Sequence, residues 1–153
     1  LHLMIGQALG GATTALMQGI LVLIISLFIG VNLPSITGIL IALLFMFLIG
    51  LSFTSVGIAF ASRMEDTHGF QLIVNFVLFP VFFLSGALFP LDRIPDWLSF
   101  LTYIDPLTYG VEGIRYGMLG VSQITPVLSF TALGAFLIAM LLLGSMLFNK
   151  IKI

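Results

Sequence analysis

Residues 3–62 read LMIGQALGGATTALMQGILVLIISLFIGVNLPSITGILIALLFMFLIGLSFTSVGIAFAS, and none of these side chains is ionisable. The stretch is too long for one membrane crossing, because ~20 helical residues already span a ~30 Å hydrocarbon core. The sequence GVNLPS at residues 30–35 favours a fold-back, since proline biases the preceding residue away from helix and glycine and asparagine suit turns. We therefore predict two spans, at about 12–31 and 35–61.

The composition of the whole chain indicates an integral membrane protein. Of the 153 residues 60% are hydrophobic and 7% are charged, whereas soluble domains carry about a quarter charged residues. A net charge of −1 and the lack of any run of Lys or Arg argue against a nucleic-acid partner. The absence of cysteine excludes disulfides, thiolate zinc sites and thiol nucleophiles.

Two further spans follow a polar loop. The sequence RMEDTH at residues 63–68 is predicted to lie outside the bilayer, because each charge at its centre costs about 2.5–3.5 kcal/mol. Residues 69–91 and about 125–147 are free of charged side chains and are predicted to cross. Four crossings put both ends and the 63–68 loop on one side, which holds three basic residues against two on the other, and we predict that this side is cytoplasmic. The three are Arg63, Lys150 and Lys152, and the two are Arg93 and Arg115.

The segment between the last two spans has a different composition. Trp97 and all three tyrosines fall within it, and these residue types prefer the headgroup level of a membrane. Apolar residues recur at helical spacing over 94–104, and Asp105 with the proline after it predicts a second short helix over 106–119, which Gly120 ends. The predicted fold is all-α: four transmembrane helices with a short extracytoplasmic helix–turn–helix that lies at, or dips into, the outer face.

Glycines in the second short helix predict a close approach of another backbone. Their steps of three, four and three residues align them on one helical face, and Glu112 and Arg115 can pair beside that face. Two interpretations remain open, namely packing with a solvated ion pair, or direct contact with a substrate. The glycines are Gly110, Gly113, Gly117 and Gly120.

The run FLSGALFPLDRIPDWL at residues 83–98, followed by DPLTYGVEGIRYGML at 105–119, resembles the carboxy-terminal half of type-2 exporter permeases of the ATP-binding-cassette (ABC) class, which include drug-resistance and polysaccharide exporters. The resemblance fixes order and spacing over some forty residues, and it extends more loosely over the whole chain, whose four spans would correspond to the third through sixth of six. The matching positions are Asn75, Pro80, Phe83, Ser85, Gly86, Phe89, Pro90, Pro95, Trp97, Pro106, Tyr109 and Arg115.

This resemblance implies a non-enzymatic permease subunit of an ATP-driven exporter in the cell membrane. Its cargo would be a hydrophobic drug, a lipid or a lipid-linked glycan. No glycine-rich phosphate-binding loop with Lys-Ser/Thr is present, so the implied partners are a cytosolic ABC ATPase and a second permease copy, in a homodimer or heterodimer surrounded by membrane lipids. The chain starts at Leu1 without a signal-peptide pattern, and we interpret it as a piece of a longer polypeptide.

The resemblance also assigns roles to residues of this chain. Residues 2–7 and the loop residues Arg63, Glu65 and Asp66 match the positions that contact the ATPase, although an ordinary hydrated turn explains the loop equally well. The short helices would form the outer gate. The gate candidates are Trp97, Tyr109, Gly113, Arg115 and Gly117.

Polar residues inside the spans are the candidates for a substrate pathway. Gln18 and Asn75 have amides that need several partners, so a pathway role and an interhelical role remain open. For helical serines we predict bonding to the preceding turn. No catalytic residue, metal site or cofactor is predicted, because no nucleophile accompanies Asp92, Asp96 and Asp105 and the two histidines lack ligand spacing.

Two other classes of function compete with the exporter. A non-transporting membrane module that anchors or assembles a complex would need the same spans. A secondary transporter or channel usually carries intramembrane charges, and the predicted spans have none.

Overall fold

The computed structural model describes residues 2–30, 34–62, 64 and 66–148, and every regular element in this part is helical. This confirms the predicted all-α class for the described residues. Among the described residues three helices are long and apolar enough to cross a bilayer, over Met4–Ser26, Ile36–Ala61 and Pro126–Met146. The helices are α1 (His2–Phe28), α2 (Ile36–Ala61), α3 (Thr67–Leu84), α4 (Asp96–Ile104), α5 (Pro106–Leu119) and α6 (Pro126–Phe148), with a 3₁₀ turn at Leu91–Arg93.

The first helix is longer than the span predicted for it. It begins at His2, ten residues before the predicted start at 12, because nothing in the first ten residues breaks a helix. Residues 2–7, expected to face the ATPase, therefore form the first turns of α1. At the fold-back Gly30 has a φ of +91°, and Ser35 caps α2 by accepting a hydrogen bond from the Gly38 N–H at 3.2 Å. Residues 31–33 lie outside the described part.

The third helix is shorter than the span predicted at 69–91. With 18 residues, α3 is about 27 Å long, a little less than a hydrocarbon core. It ends at Leu84, because Gly86 takes a φ of +79° and the chain then continues through turns to Pro90. The crossing of the bilayer by α3, and with it the total of four crossings, stays a prediction.

Helix α2 is the centre of the bundle and packs against α1, α5 and α6. Its partner α6 runs parallel to it, since Phe45 pairs with Phe130 and Phe53 with Phe136, at ring-centroid distances of 6.5 and 6.2 Å. In contrast, α3 touches α2 and α5 at only a few positions. The bundle is therefore built on α1, α2, α5 and α6, with α3 at its edge.

Small residues let α1 and α2 approach closely. A Cβ on Gly50 of α2 would lie 3.0 Å from the Ala12 Cα and 3.2 Å from the Ala15 Cβ of α1. Ala8 and Ala12 of α1 are fully or almost fully buried. Such contacts suit helices in lipid, where association depends on close packing because lipid tails are as apolar as the core.

Candidate functional site: the hairpin of α4 and α5 and the cleft beside α3

The joint between α4 and α5 is built as the sequence predicts. Asp105 precedes Pro106, the first residue of α5, and its carboxylate accepts a hydrogen bond from the Leu107 N–H at 2.9 Å. Asp105 lies outside the three long helices but is 6% exposed. At the far end, Gly120 terminates α5 with a φ of +72°.

Three of the four predicted stripe glycines face α2. A side chain on Gly110 would meet Ile49, one on Gly113 would meet the Phe45 ring, and one on Gly117 would meet the Gly38 carbonyl. Gly120 has no atom near the position of a Cβ, so its role is to end the helix. The structure therefore supports the packing interpretation for these three glycines, and the helix that they pack against is α2.

The order of these contacts gives the direction in which α5 runs along α2 and the part of α2 that it covers. Gly117 lies near the start of α2, whereas Gly110 lies against Ile49, close to the middle of this 26-residue helix. Helix α5 therefore runs antiparallel to α2, with Asp105 directed towards the middle of the bundle. Helix α5 extends along the first half of α2, from Gly38 to Ile49.

Glu112 and Arg115 form a buried cluster, so a solvated ion pair is the wrong interpretation. The Glu112 side chain is 0% exposed and Arg115 22%, and one carboxylate oxygen of Glu112 accepts a hydrogen bond from the Arg115 guanidinium. The other oxygen accepts from the backbone N–H groups of Gln123 and Ile124. Arg115 also donates to the Gly86 carbonyl at 2.7 Å.

The remaining gate candidates occupy different surroundings. Tyr109 is half-buried on α5 and donates its hydroxyl to the Tyr103 carbonyl of α4 at 2.7 Å, so it fastens the two short helices together. Trp97 of α4 is 77% exposed, away from the cluster around Glu112. The five gate candidates thus share one hairpin, but only those on α5 pack into the bundle.

A cleft of 420 Å³ separates α2 from α3. Asn75 provides its only amide side chain, and the other lining residues are apolar. The second pathway candidate, Gln18, is exposed on α1 and is not among the residues lining this cleft. The apolar lining residues are Ile49, Phe53, Leu78, Phe79, Phe82 and Leu107.

The helical serines mostly bond as predicted. Ser26, Ser55 and Ser85 donate to carbonyls of the preceding turn at 2.7–2.8 Å. Ser52 and Ser129 are 0% exposed, and within the described residues their hydroxyl oxygens have no hydrogen-bond partner. Nothing in the sequence distinguishes these two hydroxyls from the others.

Of the three coupling candidates, only Asp66 falls within the described residues. Its carboxylate accepts hydrogen bonds from the backbone N–H groups of His68 and Gly69, at 3.1 and 3.0 Å, and so caps α3. Arg63 and Glu65 lie outside the described part. Asp66 therefore stabilises the start of α3, whether or not it also contacts another protein.

Comparisons with known proteins agree on one family. Residues 1–119 match the ABC-2 type transporter family. The chain is 32% identical over 141 residues to the inner membrane transport permease YadH of Escherichia coli (strain K12), covering 90% of this chain and 53% of YadH. It is 30% identical over 118 residues to nodulation protein J of Sinorhizobium fredii, covering 76% of this chain and 44% of that protein.

A third relative is the ycf38 protein of Cyanophora paradoxa, 35% identical over 100 residues, which cover 65% of this chain and 34% of ycf38. The chain thus spans about half the length of YadH and a smaller share of the other two relatives.

Proposed function

The chain belongs to the ABC-2 type transporter family, and on that premise we propose that it forms part of the permease of an ATP-driven exporter. The observation that carries the proposal is the cleft between α2 and α3. A helix that packs weakly on the bundle and borders an apolar cleft has the freedom that a transport pathway requires. ATP hydrolysis is expected on a partner ATPase, and a second permease copy is expected to complete the pathway.

The lining of the cleft supports an apolar cargo. Phe53, Phe79 and Phe82 offer aromatic surface, and Asn75 offers one hydrogen-bonding amide. This chemistry fits a hydrophobic drug, a lipid or the lipid portion of a lipid-linked glycan. The cargo would enter from the cytoplasm or the inner leaflet and leave on the outer side when ATPase closure shifts the bundle. Gln18 stays a pathway candidate on the outward face of α1.

The hairpin of α4 and α5 would act as the outer gate. The close packing of Gly113 and Gly117 on α2 supports this role, because backbone contact leaves no room for water between the helices. Arg115 would fix the hairpin through its bonds, Tyr109 would hold α4 to α5 through its hydrogen bond to Tyr103, and Trp97 would anchor the hairpin at the membrane surface. On the opposite side Arg63, Glu65 and Asp66 would transmit ATPase closure through charged contacts.

The test uses the permease reconstituted in liposomes with its ATPase and a fluorescent lipophilic compound. Asn75→Leu removes the amide of the cleft, and we expect it to lower drug-stimulated ATP hydrolysis and export several-fold. Gln71→Leu is the matched control, because Gln71 is an exposed amide one turn earlier on α3 that is not among the cleft residues. If Asn75→Leu and Gln71→Leu lower export and ATP hydrolysis equally, the cleft is not the substrate pathway.

The same assay separates transport from the competing class. If the unchanged permease neither exports the compound nor stimulates the ATPase, the alternative of a non-transporting anchor or assembly module replaces the exporter.

A further inference from the structure

We infer that Glu112 is a positioning residue, whose carboxylate joins three separate segments of the chain into one body. These segments are the turn after α3, helix α5 and the turn before α6. The inference deepens the proposed gate and rests on the proposed function only for its part in transport. The joint itself follows from the hydrogen bonds of Glu112 and Arg115.

The first half of the joint is the pair of backbone bonds to Glu112. One carboxylate oxygen accepts from the N–H groups of Gln123 and Ile124, which precede the first turn of α6. Bonds from N–H groups to a carboxylate are stronger than bonds between neutral groups. Glu112 thereby holds the start of α6 against the middle of α5, eleven and twelve residues away in sequence.

The second half of the joint is Arg115. Its guanidinium donates to the second carboxylate oxygen of Glu112, the one that does not bond Gln123 and Ile124. It also donates to the carbonyl of Gly86, 29 residues earlier in the chain. Gly86 is buried and has a φ of +79°, and a Cβ there would lie 2.9 Å from a methyl carbon of Leu91. In this turn the Gly86 carbonyl faces the guanidinium of Arg115. A planar guanidinium can donate to two acceptors at once, here Gly86 and Glu112.

The arrangement has a mechanical consequence. Helix α3 packs weakly on the bundle, yet its C-terminal turn is fastened to α5 by a charge-assisted bond. The residues before α6 are also hydrogen-bonded to α5. A displacement of the C-terminal end of α3 should therefore also displace the α4–α5 hairpin and the start of α6. Glu112 acts through Arg115 and two backbone groups and does not need to touch a substrate.

The test measures distances with spin labels in the full chain held in lipid nanodiscs. The sequence contains no cysteine, so introduced cysteine pairs are labelled without background. The reporting pair is Ala87→Cys, in the turn after α3, with Val121→Cys, in the turn after α5, since both positions are exposed. The reference pair is Met17→Cys with Leu40→Cys, two exposed positions on α1 and α2.

We expect a narrow distance distribution for the reporting pair in the unchanged protein. Glu112→Gln cannot satisfy three donors, and the distribution should become at least twofold wider. Arg115→Lys keeps the charge but lacks the planar fork, so it should also widen the distribution. If a single change prevents folding, the double variant E112Q/R115Q, which leaves no unpaired buried charge, gives the same test. Arg93→Gln, which removes an exposed arginine of the same turn, is the control and should leave the width unchanged.

Two results would overturn the inference. One is an unchanged width for the reporting pair in both E112Q and the double variant. The other is equal widening of the reference pair, which would mean general loosening rather than loss of a joint. None of these measurements requires transport, so an inactive permease would count against the proposed function and leave the joint standing.

Discussion

Gly117 occupies a position where even one methyl group has no space. A Cβ there would lie 2.6 Å from the Gly38 carbonyl oxygen and 2.8 Å from the Ala42 nitrogen. Both are backbone atoms, which cannot rotate away as a flexible side chain can. Gly117→Ala should therefore push α5 away from α2 and cost about 1–3 kcal/mol, as overpacked cores do. The midpoint of thermal unfolding in detergent measures the loss.

Gly134 provides the matched control for this change. It lies inside α6 with no atom within 4 Å of the position of a Cβ. Gly134→Ala should raise stability by up to ~1 kcal/mol, since alanine is the better helix former. If both alanine variants unfold at the same midpoint, close backbone packing of α5 on α2 is not what Gly117 provides. In the proposed exporter, Gly117→Ala should also lower export while membrane insertion stays intact.

The sequence predicts a glycine face on α5 but does not identify what packs against it. Helical spacing places Gly110, Gly113, Gly117 and Gly120 together, yet the last of these adopts a positive φ and ends the helix. The same residue type serves packing and termination, and spacing alone cannot separate the two uses. The sequence does not reveal the buried bonding of Glu112 for a related reason. Its charge suggests exposure, and its backbone partners lie in a turn that carries no motif.

At the scale of elements, α3 has a proline in its interior. Pro80 has no N–H to donate to the carbonyl four residues earlier, so α3 lacks one hydrogen bond there. Pro80→Ala restores the donor and should raise the unfolding midpoint. If α3 bends as substrate passes, the same change should lower the export rate in the reconstituted system.

Pro126→Ala is the control for Pro80→Ala. Pro126 is the first residue of α6, where a proline costs nothing because its N–H would have no partner within the helix. We expect this change to leave both stability and export close to those of the unchanged protein. A slower export rate in both variants, or in neither, would argue against a bending role of Pro80.

Hydropathy predicts the existence of helices better than their ends. The uncharged stretch at 69–91 predicts one span, but the helix stops at Leu84 because Gly86 leaves the helical region. Uncharged turns and uncharged helices look alike to a count of apolar residues. The capping signals are more local and therefore more reliable, as Asp105 before Pro106 shows at the start of α5.

At the scale of the molecule, the sequence does not reveal which long helix is central. Helices α1, α2 and α6 are all apolar enough to cross a membrane, but α2 has the most extensive contacts, with α1, α5 and α6. In a soluble protein the buried face would be marked by its hydrophobic side. Lipid removes this signal, because side chains that face lipid and side chains that face the core are equally apolar. Small residues such as Ala42 and Gly50 are the clue that remains.

The proposed contact with an ATPase is a property of the whole assembly and needs a test that spares the fold. Asp66 caps α3, so reversing its charge would also disturb the helix. Glu65→Lys avoids the cap and should uncouple the partner, leaving ATP hydrolysis in place while export falls several-fold. Asp66→Asn removes the charge and keeps one of the two oxygen acceptors of the cap, so it disturbs the helix less than a charge reversal does. Hydrolysis and export measured in the same liposomes distinguish the cases, and unchanged coupling in both variants would remove this loop from the proposed interface.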